Sequence, residues 1–233
     1  MMVSIRNLFD NLRLKTKGAA VNDGLVNEGW GRTARKRKAI LEAATSVFLR
    51  DGYLGAGMDE IALVADVSKQ TVYKQFASKE ALFLEIVAGL TNAASNAVHD
   101  TISELAPGAD LHAFLEDHAL RQLRIVLTPR LMQLRRVVIG EAGRFPDLGK
   151  ALYESGAGRA MAAMARIFQN LADRGLLQVD DAAMAASHFN WLVMGQPLNQ
   201  AMLLGDTGIP EPAALRRYAA EGARAFLAAY GVH

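Results

Sequence analysis

Residues 52–83 read GYLGAGMDEIALVADVSKQTVYKQFASKEALF, and their pattern decides the fold. Two short helical segments stand out, near 58–65 and 69–75, with Ala65-Asp66-Val67 as a tight turn between them. Helices of about seven or eight residues are marginal alone, because nucleating the first turn costs more than so few hydrogen bonds return. Ile61, Ala62, Val67, Val72 and Phe76 form an apolar set that locks the two together. Lys69, Gln70, Thr71, Tyr73 and Lys74 are then left facing outward. A braced pair of this kind is a helix-turn-helix, whose second helix fits the major groove of duplex DNA. The outward ridge mixes phosphate donors with groups able to read base edges. Ser68 is placed to cap the second helix, and Ser78 to cap a longer helix starting at Lys79, with Glu80 near its positive end.

Upstream, the helical pattern begins at Thr33. Ile40, Leu41, Ala44, Val47 and Phe48 form an apolar stripe behind the basic cluster Arg35, Lys36, Arg37 and Lys38, and Asp51-Gly52 ends it. Downstream, helices are expected near 79–104, 110–127, 130–142, 148–173, 181–204 and 211–230. Their punctuation is Pro107-Gly108, Thr128-Pro129, Phe145-Pro146, Gly175, Gly205 with Gly208, and Pro210 with Pro212. Nothing alternates with the period of a strand. The expected fold is all-α: a three-helix helix-turn-helix unit over 32–80 and a helical ligand-binding and dimerisation unit over 81–233, the border falling within the long helix that begins at Lys79. Residues 1–31 form an extension. Ile5, Leu8, Phe9 and Leu12 fit a short amphipathic helix, and the glycines and asparagines of 17–31 read as linker. This extension is expected to be a loose arm, the product of a start codon assigned too early, or an arm that touches DNA or a membrane.

Composition agrees. Of 233 residues, 51% are hydrophobic and 21% charged, which suits a chain with a packed core rather than a disordered one. There is no cysteine, so disulfides and thiolate metal sites are excluded. The most apolar stretch, Ala182 to Met194, is interrupted by Ser187, His188 and Asn190, and no membrane span is expected. Residues 1–80 carry 13 Lys and Arg against 9 Asp and Glu, whereas 81–233 carry 13 against 15, so a polyanion would be met by the first third.

At this point a family resemblance is visible. Arg37-Lys38-x-Ile40-Leu41-x-Ala43-Ala44, Phe48, Gly52-Tyr53, Met58-Asp59-Glu60-Ile61-Ala62, Val67-Ser68-Lys69, Thr71-Val72-Tyr73, Phe76 and Ser78-Lys79-Glu80-x-Leu82-Phe83 resemble the N-terminal signature of tetracycline-repressor (TetR) family regulators. The match runs over 37–83. The stretch from Leu134 onward is similar to a C-terminal domain of some of these regulators, including relatives of multidrug-efflux repressors. The resemblance implies a ligand-responsive transcriptional repressor, not an enzyme, that binds double-stranded operator DNA in the cytoplasm and is released by a small apolar effector. It implies that 69–75 is the recognition helix, that Tyr73 and Lys79 contact phosphates, and that Lys38, Lys69, Gln70, Thr71 and Lys74 contact phosphates or bases. Two departures matter. Ala56-Gly57 stands where the family has a capping Thr that also touches a phosphate, and Asp66 stands where the turn usually has Gly. Gly is a tolerable cap, and Asp tolerates the left-handed conformation better than most residues.

The resemblance also implies a homodimer, through helices near 181–204 and 211–230. The first carries Met184, His188, Trp191, Leu198 and Met202 near one face, and Pro197, which is expected to kink it. The second carries Leu215, Tyr218, Gly222, Ala225, Phe226 and Ala229, small residues there allowing another helix to come close. Candidate pocket residues are His118, Leu123, Met161, Met164, Phe168 and Trp191, since flexible methionines accept varied apolar ligands. Core packing is the commoner reason for such a stripe. No cofactor or metal site is expected: His112 and His118 are six apart and do not share a helix face, and the motifs HExxH, GxSxG, GxxxxGK[ST] and GxGxxG are absent. A helical adaptor that binds only proteins is the rival from another class.

Overall fold

The computed structural model describes residues 26–99 and 105–232. Ten α-helices follow in order: α1 (Val26–Gly55), α2 (Met58–Val64), α3 (Lys69–Gln75), α4 (Lys79–His99), α5 (Leu111–Val126), α6 (Pro129–Glu141), α7 (Pro146–Ser155), α8 (Ala157–Asp173), α9 (Ala182–Leu204) and α10 (Pro212–Tyr230). A single 3₁₀ turn, Gly205–Gly208, links the last two, and the described residues contain no strand. The all-α expectation therefore holds. The expected short helix at 5–12 lies outside the described residues.

The termini are set by local chemistry. Ser68 Oγ accepts from Thr71 N–H at 3.2 Å and Ser78 Oγ from Ala81 N–H at 3.0 Å. Asp110 and Asp181 cap α5 and α9 through carboxylates that each accept two backbone N–H groups. Gly52 breaks α1 one turn before its end with φ 74°, a left-handed backbone that suits glycine. Two boundaries differ from expectation. The helix that contains the basic cluster begins at Val26, so part of the presumed linker is helical. The helix expected over 148–173 is broken at Gly156, where a Cβ would lie 2.7 Å from the Leu152 carbonyl oxygen and 2.8 Å from Thr91 Cγ2. The bend falls where the chain passes close to α4, with no room for a side chain.

Two hydrophobic clusters organise the molecule. The front one joins Ile40, Phe48, Ile61, Val72, Phe83 and Val87 to Leu134, Val138, Leu148 and Leu152, so α6 and α7 pack onto the helix-turn-helix unit. Its centre is a nest of rings. Phe48 and Phe83 are 4.5 Å apart between centroids, and Tyr53 lies 5.3 Å from Phe83 and 4.8 Å from Phe145. The back cluster gathers Leu115, Leu123, Phe168, Phe189, Val193 and Phe226, with Phe168 stacked on Phe226 at 4.6 Å. Gly222 admits Val193 so closely that a Cβ would lie 2.8 Å from its Cγ2, so this small residue serves packing within the chain. Arg159 ties the clusters by donating to Asn92 and Asn96 of α4, both at 2.8 Å.

One described helix, Lys79–Val98, has the length and apolar content to cross a membrane by composition alone. Its Leu82, Phe83, Ile86, Val87 and Val98 are instead buried inside the protein, which accounts for the composition.

Candidate nucleic-acid interface and ligand cavity

The turn between α2 and α3 is built as its sequence suggests. Asp66 adopts φ 52°, alone among the described non-glycine residues in the left-handed region. Its neighbours close the corner: Ala65 N–H donates to Ile61 at 2.9 Å and Val67 N–H to Ala62 at 3.1 Å. On α3, Val72 is fully buried and Phe76, just past its end, is 3% exposed. Lys69, Gln70, Tyr73 and Lys74 are exposed, with Tyr73 at 46% although it is a large aromatic residue. Thr71 is half-buried, its hydroxyl 2.8 Å from that of Ser68. One short helix thus has a buried seam and a polar outer ridge, the shape that groove insertion needs.

Several of these side chains are already engaged. Lys69 Nζ lies 2.7 Å from Asp59 on α2, and that hydrogen bond holds its pKa above the usual value. Lys38 stays exposed, 3.9 Å from Glu42 one turn on. Lys79 donates to the Leu54 carbonyl at 3.3 Å and sits 4.8 Å over the Tyr53 ring, and burial pushes its pKa down. The start of α4 is thereby fixed against the end of α1. Arg50 joins Asp51 and Glu60, linking α1 to α2, and these bonds raise its pKa.

Arg37 carries a role the sequence reading did not give it. Its guanidinium lies 4.3 Å over Phe76, donates to the Gln75 carbonyl at 3.3 Å and to both Glu85 carboxylate oxygens at 2.8 and 2.6 Å. It clamps the end of α3 between α1 and α4. The signal was its place beside an apolar stripe, where a cation is costly without a partner.

The two departures have different outcomes. Asp66 fits its turn. Gly57 caps α2 with no side-chain hydrogen bond, and nothing stands within 4 Å of where its Cβ would be. Gly57→Ser is therefore expected to supply the missing acceptor. Stability should rise by roughly a few tenths of a kcal/mol, visible as a slightly higher Tm. An unchanged or lower Tm would show that α2 gains nothing from a cap.

Beyond the interface, the clearest internal space lies between the clusters. It is a cavity of about 90 Å³, bordered by Leu134 and Leu152 of the front core, by Met194 and Leu198 behind, and by Ser95 and Arg135. Of the six expected pocket residues, only Trp191 borders this cavity. Leu123 and Phe168 are fully buried in the back core. His118, Met161 and Met164 border a separate crevice of about 10 Å³, which is too small for more than a water. Helical spacing identified core-facing positions but not which of them face empty space. The described residues contain no cluster that could hold a metal.

The outer side of α9 is apolar. Met184, Trp191, Leu192 and Leu203 are between 46% and 75% exposed. His188, on the same side, shares a 2.6 Å hydrogen bond between its Nδ1 and the Tyr230 hydroxyl. On α10, Arg217, Glu221 and Arg224 face outward, and Arg224 pairs with Glu221 at 2.6 Å.

Comparison with known proteins agrees with this geometry. Residues 40–86 match the bacterial regulatory proteins of the tetR family, and residues 113–232 match the C-terminal domain of AefR-like transcriptional repressors, beginning before the Leu134 expected from sequence. A TetR-family transcriptional regulator from Mesorhizobium loti MAFF303099 superposes with a TM-score of 0.80 at 40% identity, over 86% of this chain and 99% of that one. The flavonoid-responsive regulator FrrA superposes with a TM-score of 0.70 at 31% identity, over 85% and 98%. The curated relative YhgD of Bacillus subtilis strain 168, an HTH-type transcriptional regulator, is 32% identical over 111 residues, a match spanning 46% of this chain and 58% of that relative. With one family model covering more than half of the chain and a solved relative matched along nearly its whole length, the chain belongs to the TetR family of DNA-binding transcriptional regulators.

Proposed function

We propose that this protein is a repressor that holds an operator as a homodimer and releases it when a small molecule with an apolar body enters the cavity between the two cores. The observation that carries the DNA reading is the outward ridge of α3: Gln70, Tyr73 and Lys74 are exposed while Val72 of the same helix is fully buried. Lys38, Lys69, Thr71 and Lys79 complete the DNA-contacting set. Lys69 would exchange Asp59 for a phosphate. Lys79 would act beside the first N–H groups of α4, where the helix end favours an anion. The cytoplasm suits this role and a chain without cysteine.

Release follows from the cavity's position. Leu134 and Leu152 belong to the core that braces the recognition helix, yet they border the cavity. An occupant that binds one arrangement of this wall better than another shifts the equilibrium, and only by that difference in affinity. Dimerisation through α9 and α10 would cover Met184, Trp191, Leu192 and Leu203. Apolar groups of this size gain by leaving water.

Phosphate and base contacts separate experimentally. Tyr73→Ala together with Lys79→Ala is expected to weaken binding to every duplex and to flatten the dependence of affinity on salt, because fewer counterions are released. Gln70→Ala is expected to change which sequence is preferred. Selection of bound genomic fragments by the purified protein identifies the operator for both measurements. Wild-type affinity in the Tyr73 and Lys79 double variant would overturn the assignment of the ridge.

A further inference from the structure

The cavity between the cores has an electrostatic character that its apolar walls conceal. Among the described residues its border contains no Asp, Glu, Lys or His and one cation, Arg135. Next door on α6, Arg136 is paired with Asp206 at 2.6 Å and donates to the Ala201 carbonyl at 3.0 Å. Arg135 has no such partner among the described residues, and burial pushes its pKa down with nothing opposing it. Arg135 is half-buried, and a guanidinium partly withdrawn from water without a counter-charge carries a desolvation cost that a bound anion would offset.

The rest of the border narrows the ligand further. Ser95 Oγ is buried with no hydrogen-bond partner among the described residues. Thr91 is satisfied, its hydroxyl donating to the Val87 carbonyl at 2.6 Å. Gln122 Nε2 donates to Asn190 Oδ1 at 2.9 Å, which ties the two amides together by one bond. The N–H fork of Arg135 and the Ser95 hydroxyl therefore stand without a hydrogen bond among the described residues, beside the remaining amide atoms of Gln122 and Asn190, in a surround of Ala94, Val98, Leu134, Leu152, Met194 and Trp191. Planar guanidinium donors match a carboxylate with two parallel hydrogen bonds. A cavity of about 90 Å³ has room for roughly half a dozen waters, or for the compact body of a small organic molecule.

We propose that the effector is a compact amphipathic organic anion whose carboxylate is held by Arg135 and Ser95 and whose apolar body fills the space between the two cores. This rests on the reading of the cavity as the effector site and adds the charge of what enters it. Such a ligand neutralises the guanidinium and buries its own body in one step. Both changes act on α6, which carries Leu134 of the front core and, through Arg136, the end of α9.

The test uses the full-length chain with Trp30→Phe, so that fluorescence reports Trp191 at the border. Benzoate, 1-naphthoate and octanoate are each compared with the neutral amide of the same body. At least one carboxylate is expected to bind about 10- to 100-fold more tightly than its amide, the range for a hydrogen-bonded charge. That preference should disappear in Arg135→Gln, persist in part in Arg135→Lys, and leave amide binding nearly unchanged. Equal binding of acids and amides to the parent chain overturns the anion proposal alone and leaves the cavity as a site for neutral effectors. Failure of all six compounds to bind overturns both readings. Because the acid-to-amide comparison is made on the parent chain, a poorly folding Arg135 variant does not blunt it.

Discussion

The double variant Leu192→Glu, Leu203→Glu is expected to sediment as a monomer and to bind a two-half-site operator about 10²- to 10⁴-fold more weakly than the parent chain. The two positions are 46% and 75% exposed and lie eleven residues apart on α9, close to three full turns, so both charges fall on one side. Neither side chain belongs to either core, so the protomer should keep its Tm. Across a two-fold axis each substitution occurs twice, and four carboxylates would meet in an apolar layer where charge is costly to desolvate. The DNA effect follows from geometry. Two recognition helices separated by about 34–36 Å engage successive major grooves as a unit, and a monomer forfeits the second contact's effective concentration. A variant that stays dimeric with operator affinity within about threefold of the parent would relocate the interface away from α9.

Phe48→Ala should be the most destabilising single change in the front half. The side chain is fully buried, 4.5 Å from Phe83 and 5.9 Å from Tyr53 between ring centroids. Removing a ring from such a nest leaves a cavity as well as a lost transfer term, together about 3–5 kcal/mol. Against a typical total of about 5–15 kcal/mol that is a large fraction. For a chain of this length it corresponds to a fall of roughly 10 °C in Tm by thermal denaturation. DNA binding should weaken with it, because Phe48 packs under the helix-turn-helix through the same cluster as Ile61 and Val72. A Tm within about 2 °C of the parent would mean that the nest can collapse around the gap.

What could be read from sequence divides along the range of the forces involved. Short-range chemistry was legible. Ser68, Ser78 and Gly57 stand at the helix starts where capping rules put them, Asp66 takes the left-handed turn, and Val72 is buried while Tyr73 is exposed. The break at Gly156 was not legible, since helical periodicity runs through it and the close approach of Thr91, sixty-five residues earlier, is a matter of tertiary packing. The packing of Leu134 and Leu148 onto the front core depends in the same way on which apolar faces meet, and periodicity does not rank those pairings. Gly222 illustrates a subtler limit. Its small size does permit a close helix, but the helix that comes is α9 of the same chain.

The candidate DNA contacts lay within a contiguous signature, so their positions followed from local order. The cavity border is drawn from six helices, and a stripe on one helix cannot indicate where others fail to meet it. Arg135 sits in LMQLRRVVIG, where two adjacent arginines look like one solvated pair. Only folding separates their fates, giving Arg136 a carboxylate and Arg135 an apolar chamber.

The gap bounded by Leu134 and Leu152 on one side and by Met194 on the other has a thermodynamic corollary. A layer that lacks some of its dispersion contacts is a standing deficit, and any guest that restores them makes the guest-bound fold harder to melt. Sensitivity and robustness then compete for the same few side chains. Enlarging them to close the gap would harden the protein against heat and, by the same stroke, exclude the effector proposed for the cavity.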